Sequence, residues 1–487
     1  VVVAINRAAA DGTLVDYATA DGQTVTQLNV ATGTQTAITL NMDAAEGELI
    51  AIGGDFTVTA GSFFVVTGSL QFIKSTDNVV LGDGSVKQVE ALSLGGAGIS
   101  AFAGVDGIGL SLTDVAFGLY MAVDVSDATE QWVGLRAQAG SVAFVGVPGL
   151  KLSASDLEVE VNRASVDGHL IDFARSAVDV PTGGDGVDDP SLIALTMSAL
   201  RGELLRAVGT FELDIFGFVQ LSGALALNRG LGTVRVTDGT TASSEGVDLL
   251  TIGGANLSAF AGVNGDDQAN RLGLALSGVE FAVVIAKEQD GSGVFTTVEG
   301  AVGSAAFVGN SDITVSAEDV AFVFNRSSDT RFADYANAGE GDLSEVETGP
   351  VTAFALSADG TAGALTRLSG YLSLAAYDYV QVSGNAAFEK SSGTIVRSGE
   401  TDPVSAEILT IGFSDVNAFV GIDAGTDSAK GFALSGVELG LALITETADA
   451  TQRYVSLQAS AEAAGLVGVD AVTAQVGALS VQVNRAA

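Results

Sequence analysis

The dipeptide Asn-Arg recurs at Asn6-Arg7, Asn162-Arg163, Asn325-Arg326 and Asn484-Arg485, at steps of 156, 163 and 159 residues. Other landmarks keep the same step. Phe102, Phe260 and Phe419 lie 158 and 159 residues apart, and Gly68, Gly223 and Gly384 lie 155 and 161 apart. Trp132, Phe295 and Tyr454 share one position, each 12 residues before Phe144, Phe307 and Leu466. Self-similarity at a fixed long step means copies of one structural unit. The 487 residues therefore divide into repeats 1–161, 162–324 and 325–487, with the motif of a further repeat starting at 484–487. The single Trp stands where the other copies carry another aromatic, so it reads as a packing position. The first and last residues fall at the same point of the repeat with no polar cap at either end, and an array of repeats needs such caps. The chain or its assembly is expected to continue.

Within each copy the apolar residues alternate. Leu157-Glu158-Val159-Glu160-Val161-Asn162 and Phe211-Glu212-Leu213-Asp214-Ile215 place one side chain inward and the next outward, the period of a strand. Val, Ile, Phe and Thr are frequent, and Gly, Asp, Asn and Ser clusters part the runs. The chain is expected to be all-β. Many strands with small residues between them suit an elongated β-solenoid-like stack, strands lying about 4.8 Å apart. Tandem β-sandwich domains, one per repeat, are the alternative. Segments 180–191, 264–271 and 338–350 are polar and poorly matched between copies, as surface loops are.

Charge and composition exclude whole classes. Lys+Arg number 21 and Asp+Glu 59, a formal net charge of −38. That field repels phosphate backbones and anionic lipid, so nucleic acid is not an expected partner. Charged residues are only 16% and apolar residues 47%, the reverse of a disordered chain. No uncharged apolar run is long enough to span a bilayer, so membrane insertion is not expected. Cys is absent, which removes disulfides, Cys-ligated zinc and thiol nucleophiles.

No residue pattern points to catalysis. His169 is the sole His and aligns with Thr13 and Arg331, so no His-based cluster can recur. Glu280 and Glu438 share a repeat position, but Ala116 fills it in the first copy. Glycoside hydrolysis needs two facing carboxyls, and solvated strand faces account for these acids more simply. Calcium is the one cofactor the sequence suggests, because hard cations take several oxygen ligands. The candidate ligands are Asp185, Asp188 and Asp189 in one loop, Asn264, Asp266 and Asp267 in a second, and Asp423 and Asp427 in the slot matching the second. Neither an EF-hand loop nor a calcium nonapeptide run is present. A recurring Asp follows each Asn-Arg (Asp16, Asp172, Asp334). There the Asn is expected to cap backbone groups at a turn, and an Arg–Asp pair to fix the corner.

The blocks VNRASVDGHLIDFA (161–174), FVQLSGALAL (218–227), LTIGGANLSAFAGVNG (250–265), LALSGVEFAV (274–283) and AAFVGNSDITVSAEDVAFVFNR (305–326) resemble repeats of giant, acidic, repetitive adhesin-like surface proteins of environmental bacteria. The resemblance covers nearly the whole chain. It implies an extracellular or cell-surface location and a structural or adhesive role, and it transfers no catalytic residue. The expectation is a non-enzymatic structural segment forming an elongated fibre or filament. It would self-associate or continue in a longer repeat chain, with a cell-surface or matrix partner in view. A calcium-stiffened adhesin stalk is the alternative, and a polysaccharide-acting β-solenoid enzyme a remote one.

Overall fold

The structure, a computed structural model, describes residues 2–17, 28–44, 47–60, 64–183, 192–309, 312–469, 472, 474–486. It divides into two compact units: residues 1–148, 152–209 and 229–231, and residues 149–151, 210–228 and 232–487. The chain is all-β, as the alternating apolar pattern requires.

In the first unit, β1 (Val2–Asn6) is followed by the hairpin β2 (Leu28–Ala31) and β3 (Ala37–Leu40). Six long strands come next: β4 (Leu49–Ala60), β5 (Phe64–Val80), β6 (Val86–Val105), β7 (Ile108–Asp124), β8 (Gln131–Val145) and β9 (Leu150–Arg163). Each pairs antiparallel with the next, and β1 pairs with β4. A second hairpin, β10 (Val178–Pro181) and β11 (Leu192–Leu195), follows, and then a 3-10 turn at Ala199–Arg201. After β12 (Leu204–Ile215) and β13 (Val219–Thr237), the second unit continues with β14 (Ala242–Val263), β15 (Leu272–Glu288), β16 (Val294–Val308) and β17 (Ile313–Ser327). Its own excursion holds the short β18 (Phe332–Ala333), the hairpin β19 (Glu345–Gly349) and β20 (Thr352–Ala355), and a 3-10 turn at Gly360–Ala362. The strands β21 (Leu365–Ala376), β22 (Val380–Ile395), β23 (Val404–Ile422), β24 (Lys430–Glu446), β25 (Arg453–Val467) and β26 (Gln475–Ala486) complete it as an antiparallel meander.

This corrects the solenoid expectation. A solenoid stacks parallel strands from successive turns of the chain. Here sequence-adjacent strands of 12 to 22 residues run antiparallel and are joined by tight turns. The period-2 pattern is common to both architectures. What separates them is the length of each run, and turn-type residues inside a strand disguise that length. Gly98, Asn256 and Asp415 are such residues: each has φ between 52° and 58° and sits within a long strand at a register shift. These are β-bulges, where one extra residue in a left-handed conformation is absorbed without ending the strand. Each bulge lets the apolar alternation skip a residue and return to the same face.

The two faces of each meander differ in kind. In the first unit the register aligns Ile52, Phe72, Leu94, Leu119, Leu135 and Val161 in one row across six strands. The next row, on the opposite face, is Gly53, Gln71, Gly95, Gly118, Arg136 and Glu160. The second unit has the same contrast. Leu368, Phe388, Ile411, Leu441, Leu457 and Val483 form an apolar row, and Ser369, Ala387, Gly412, Gly440, Gln458 and Gln482 form its neighbour on the other face.

Candidate functional site: two unlike sheet faces

The small-residue face exists to seat hairpins. In the first unit a Cβ added to Gly95 would stand 2.1 Å from the Pro181 carbonyl oxygen, and one on Gly118 would stand 2.9 Å from Val180. On Gly134 it would stand 2.5 Å from the Phe173 ring. The β10–β11 hairpin thus lies flat on β6, β7 and β8, and only glycine lets it approach so closely. Its apolar residues, Phe173, Val180, Leu195 and Met197, close a dry core with Tyr120 and Trp132. Tyr120 and Phe173 meet edge to face at 6.1 Å. Burial raises the Tyr120 phenol above its ordinary pKa, and its hydroxyl donates to Asp77 at 2.9 Å. The Trp132 indole N–H donates to the His169 carbonyl at 3.0 Å.

The second unit repeats the arrangement with other residues. Tyr335, Val346, Leu356 and Ala358 pack on Val284 and Phe295, and a Cβ on Gly253 would stand 2.2 Å from the Glu347 carbonyl oxygen. Here a buried carboxylate anchors the hairpin. Glu299, 1% exposed, accepts from the Ser357 N–H, the Ser357 hydroxyl at 2.6 Å and the Ala358 N–H at 2.9 Å.

The recurring Asn opens each excursion. The side-chain amides of Asn6, Asn162 and Asn325 donate to the carbonyls of Val15, Ile171 and Ala333 at 3.0, 3.0 and 2.7 Å. The Asp that follows closes the loop onto its far end: Asp16 accepts from the Ala44 N–H, Asp172 from the Ala199 N–H and Asp334 from the Gly360 N–H. The Arg that pairs with this Asp is not the neighbour of the Asn. Asp172 pairs with Arg175 at 3.2 Å and Asp334 with Arg235 at 3.3 Å, while Arg326 stacks 5.3 Å over Phe324.

The candidate calcium ligands Asp185, Asp188 and Asp189 lie outside the described residues. Asn264 and Asp423, in the slot that begins with Asp106 in the first copy, all share φ between 52° and 57°. Asn and Asp tolerate that left-handed conformation better than other side chains, which accounts for the recurring residue type. Asp267 accepts from the Ala269 N–H at 3.1 Å and the Asn270 amide at 2.8 Å. Asp266 shares the Gln220 amide with Asp214, and its hydrogen bond to that second carboxyl holds its pKa above the usual carboxylate value. Asp427 lies exposed in the turn after Asp423. Among the described residues, no group of three or more His, Asp or Glu side chains is placed to hold a metal ion. Glu280 and Glu438 sit exposed on the small-residue face of β15 and β24. His169 is half-exposed in a loop beside Asp167 at 2.5 Å and Asp83 at 3.8 Å.

The opposite face is apolar, as the high apolar content with few Lys suggests of some outward surface. Ile52 is 44% exposed, Leu152 50%, Phe413 39% and Phe432 50%. A soluble monomer rarely presents contiguous apolar area beyond a few hundred Å², and these rows cross six strands in each unit. Ion pairs stand on this face near one rim. Lys74 pairs with Glu90 at 3.1 Å, and Lys390 pairs with Glu407 at 3.0 Å, at matching positions in the two units. The signal was in the register: alternation keeps polar and apolar residues on separate faces, and in these strands neither set was wholly covered by its own copy.

No family model matches the chain, and no curated protein does. Among solved structures, the crystal structure of the outer membrane transporter YddB from Escherichia coli aligns at 9% identity with a TM-score of 0.19, over 86% of this chain. The chain spans 62% of that protein's length. No helix among the described residues is long and apolar enough to cross a membrane.

Proposed function

We propose that the chain is a non-enzymatic structural segment of an extracellular or cell-surface protein, built as three tandem repeats, whose apolar sheet face is buried against a like face in an elongated fibre. The observation that carries this reading is the unbroken apolar row on one face of each unit, such as Leu368 to Val483, beside a polar row on the other. Burial of apolar area contributes roughly 25 cal/mol per Å². A sheet face of this kind therefore favours association strongly over exposure to water. Sheets packed face to face stand about 10 Å apart with interleaved side chains, and the mix of Phe, Leu, Ile and Val supplies them. The acidic remainder supports a filament with solvated outer surfaces. The extracellular setting rests on the resemblance to bacterial surface repeats.

The test is electron microscopy of the chain with and without a calcium chelator, beside the triple variant Phe388→Glu, Phe413→Glu, Leu441→Glu. Fibres that survive chelation and are lost in the variant support the reading. Fibres that collapse on chelation move the function to a calcium-stiffened stalk. Dispersed particles of the unaltered chain, or its uptake into lipid vesicles, overturn it.

A further inference from the structure

We propose that the cleft formed by β12 to β16 and the β14–β15 turn is a binding site for a neutral saccharide. Every residue that lines it falls between positions 212 and 308, inside the second unit. Its volume is about 490 Å³, within the range of small-molecule sites.

Its walls carry both kinds of hydrogen-bonding group. Asp214 of β12 and Asp266 of the turn share the Gln220 amide, which donates to the two carboxyls at 2.8 and 2.9 Å. The Gly217 N–H also donates to Asp214 at 2.8 Å and fixes that carboxylate. The turn is pinned in place where the Gly265 N–H donates to the Gly217 carbonyl at 2.9 Å. The cleft also holds Arg271, whose guanidinium lies 5.5 Å over the ring of the buried Phe260. Among the described residues, the side chains of Ser222, Ser258, Gln268 and Arg271 make no hydrogen bond or ion pair within the chain. An arginine without a carboxylate partner is notable where acids outnumber bases 59 to 21.

The copies separate scaffold from site. Phe102 and Phe419 match Phe260, and Thr67 and Ser383 match Ser222, so the floor recurs. The groups that give the cleft its chemistry do not. Thr59 and Ala375 stand where Asp214 does. The turn that carries Asp266, Gln268 and Arg271 spans 264–271, whereas in the first copy it is Asp106-Gly107 alone and in the third, 423–429, it has no Arg. A packing requirement would recur with the scaffold.

The charges select the ligand. A bare cation would meet Arg271, and an anion would meet two carboxyls and a net charge of −38. A neutral ring of hydroxyls meets neither obstacle. Its hydroxyls donate to Asp214 and Asp266, and its oxygens accept from Arg271, Gln268 and the serine hydroxyls. The inference does not rest on the fibre reading.

Saturation-transfer difference NMR of the full chain tests it, with glucose, galactose, mannose and N-acetylglucosamine and their neutral disaccharides as probes. Saturable binding of at least one, roughly millimolar or tighter, is expected. Arg271→Ala and Asp266→Asn should each weaken it about tenfold, the loss of a hydrogen bond to a charged group. Gln381→Ala, at the match of Gln220 in the third copy, should leave it unchanged, and far-UV circular dichroism should be the same in all. The apolar-face triple variant should bind as the unaltered chain does. Binding of none of these sugars, or binding that both site variants retain in full, overturns the proposal. So does binding of calcium alone, without sugar, that Asp266→Asn abolishes, which would make the cleft a cation site.

Discussion

The β6–β8 face and the β23–β25 face have nearly the same strands, the same glycines on their first two strands (Gly95 and Gly118, Gly412 and Gly440) and the same aromatic position, yet one is a core and the other a surface. Trp132 is 1% exposed under its hairpin, while Tyr454, at the same position, is half-buried and turns its hydroxyl to Glu446 at 2.6 Å. The strands alone therefore do not make a core on this face. The hairpin supplies the second layer, and burial follows from its presence. A single-layer sheet buries neither face by itself, so each face of this one requires a partner.

The sharpest way to break that comparison is to truncate the shared aromatic. Trp132→Ala is expected to destabilise the first unit by about 3–5 kcal/mol, the usual cost of emptying a large core site. Tyr454→Ala should cost about 1 kcal/mol or less in the dispersed chain. Chemical denaturation followed by circular dichroism measures both. Equal losses would mean that the two faces are not different environments.

The anchor residues give the next largest contrast. Glu299→Ala leaves the Ser357 and Ala358 N–H groups unsatisfied beneath the hairpin, at a cost of about 1–3 kcal/mol. Gln458→Ala, at the matching position of the open face, should be close to neutral. Hydrogen exchange of the Ser357 and Ala358 amides should accelerate in the first variant.

A smaller effect separates the two covered copies. The Asn325 Oδ1 accepts from the Thr297 hydroxyl at 3.1 Å, whereas the Asn162 Oδ1 is buried without a partner. Asn325→Ala should therefore cost more than Asn162→Ala, by about 0.5–1.5 kcal/mol, the net worth of one hydrogen bond. The matching Asn484→Ala should leave stability unchanged.

The smallest effect is a pH step confined to the first unit. The Asp167 carboxylate beside His169 raises the imidazole pKa above its ordinary value. A group whose folded pKa is raised contributes stability that is fully present below its unfolded value, near pH 6.5, and lost as pH rises through the folded value. The 164–170 loop should thus loosen slightly above neutrality, and His169→Gln should remove the step. Amide exchange of Gly168 and His169 across pH 5.5–8.5, corrected for intrinsic rates, reads it.

Much of this was legible in the residues, and the reasons for the rest are physical. Alternation in Leu157–Asn162 identifies a strand, and the step between Asn-Arg motifs locates the three excursions. The Asn was legible as a backbone cap, and it caps a carbonyl eight or nine residues on in each described excursion. Strand direction was not legible, because parallel and antiparallel ladders share the same side-chain period. The slot at Asn264 and Asp423 reads as a candidate ligand set from its oxygen donors. The backbone there selects the same residues for their tolerance of positive φ. In the sequence a glycine that seats a hairpin looks the same as one that turns the chain. Only the paired register reveals that Gly95 and Gly118 are neighbours under a hairpin.

The account rests most on the apolar face being buried in the assembled state. Hydroxyl-radical footprinting of Phe281, Phe322, Phe388, Phe413 and Phe432, in assembled material and in the dispersed chain, tests this directly. Protection of these side chains on assembly, by tenfold or more relative to exposed Tyr377 and Tyr379, is the result expected. Equal labelling in both states would contradict the account.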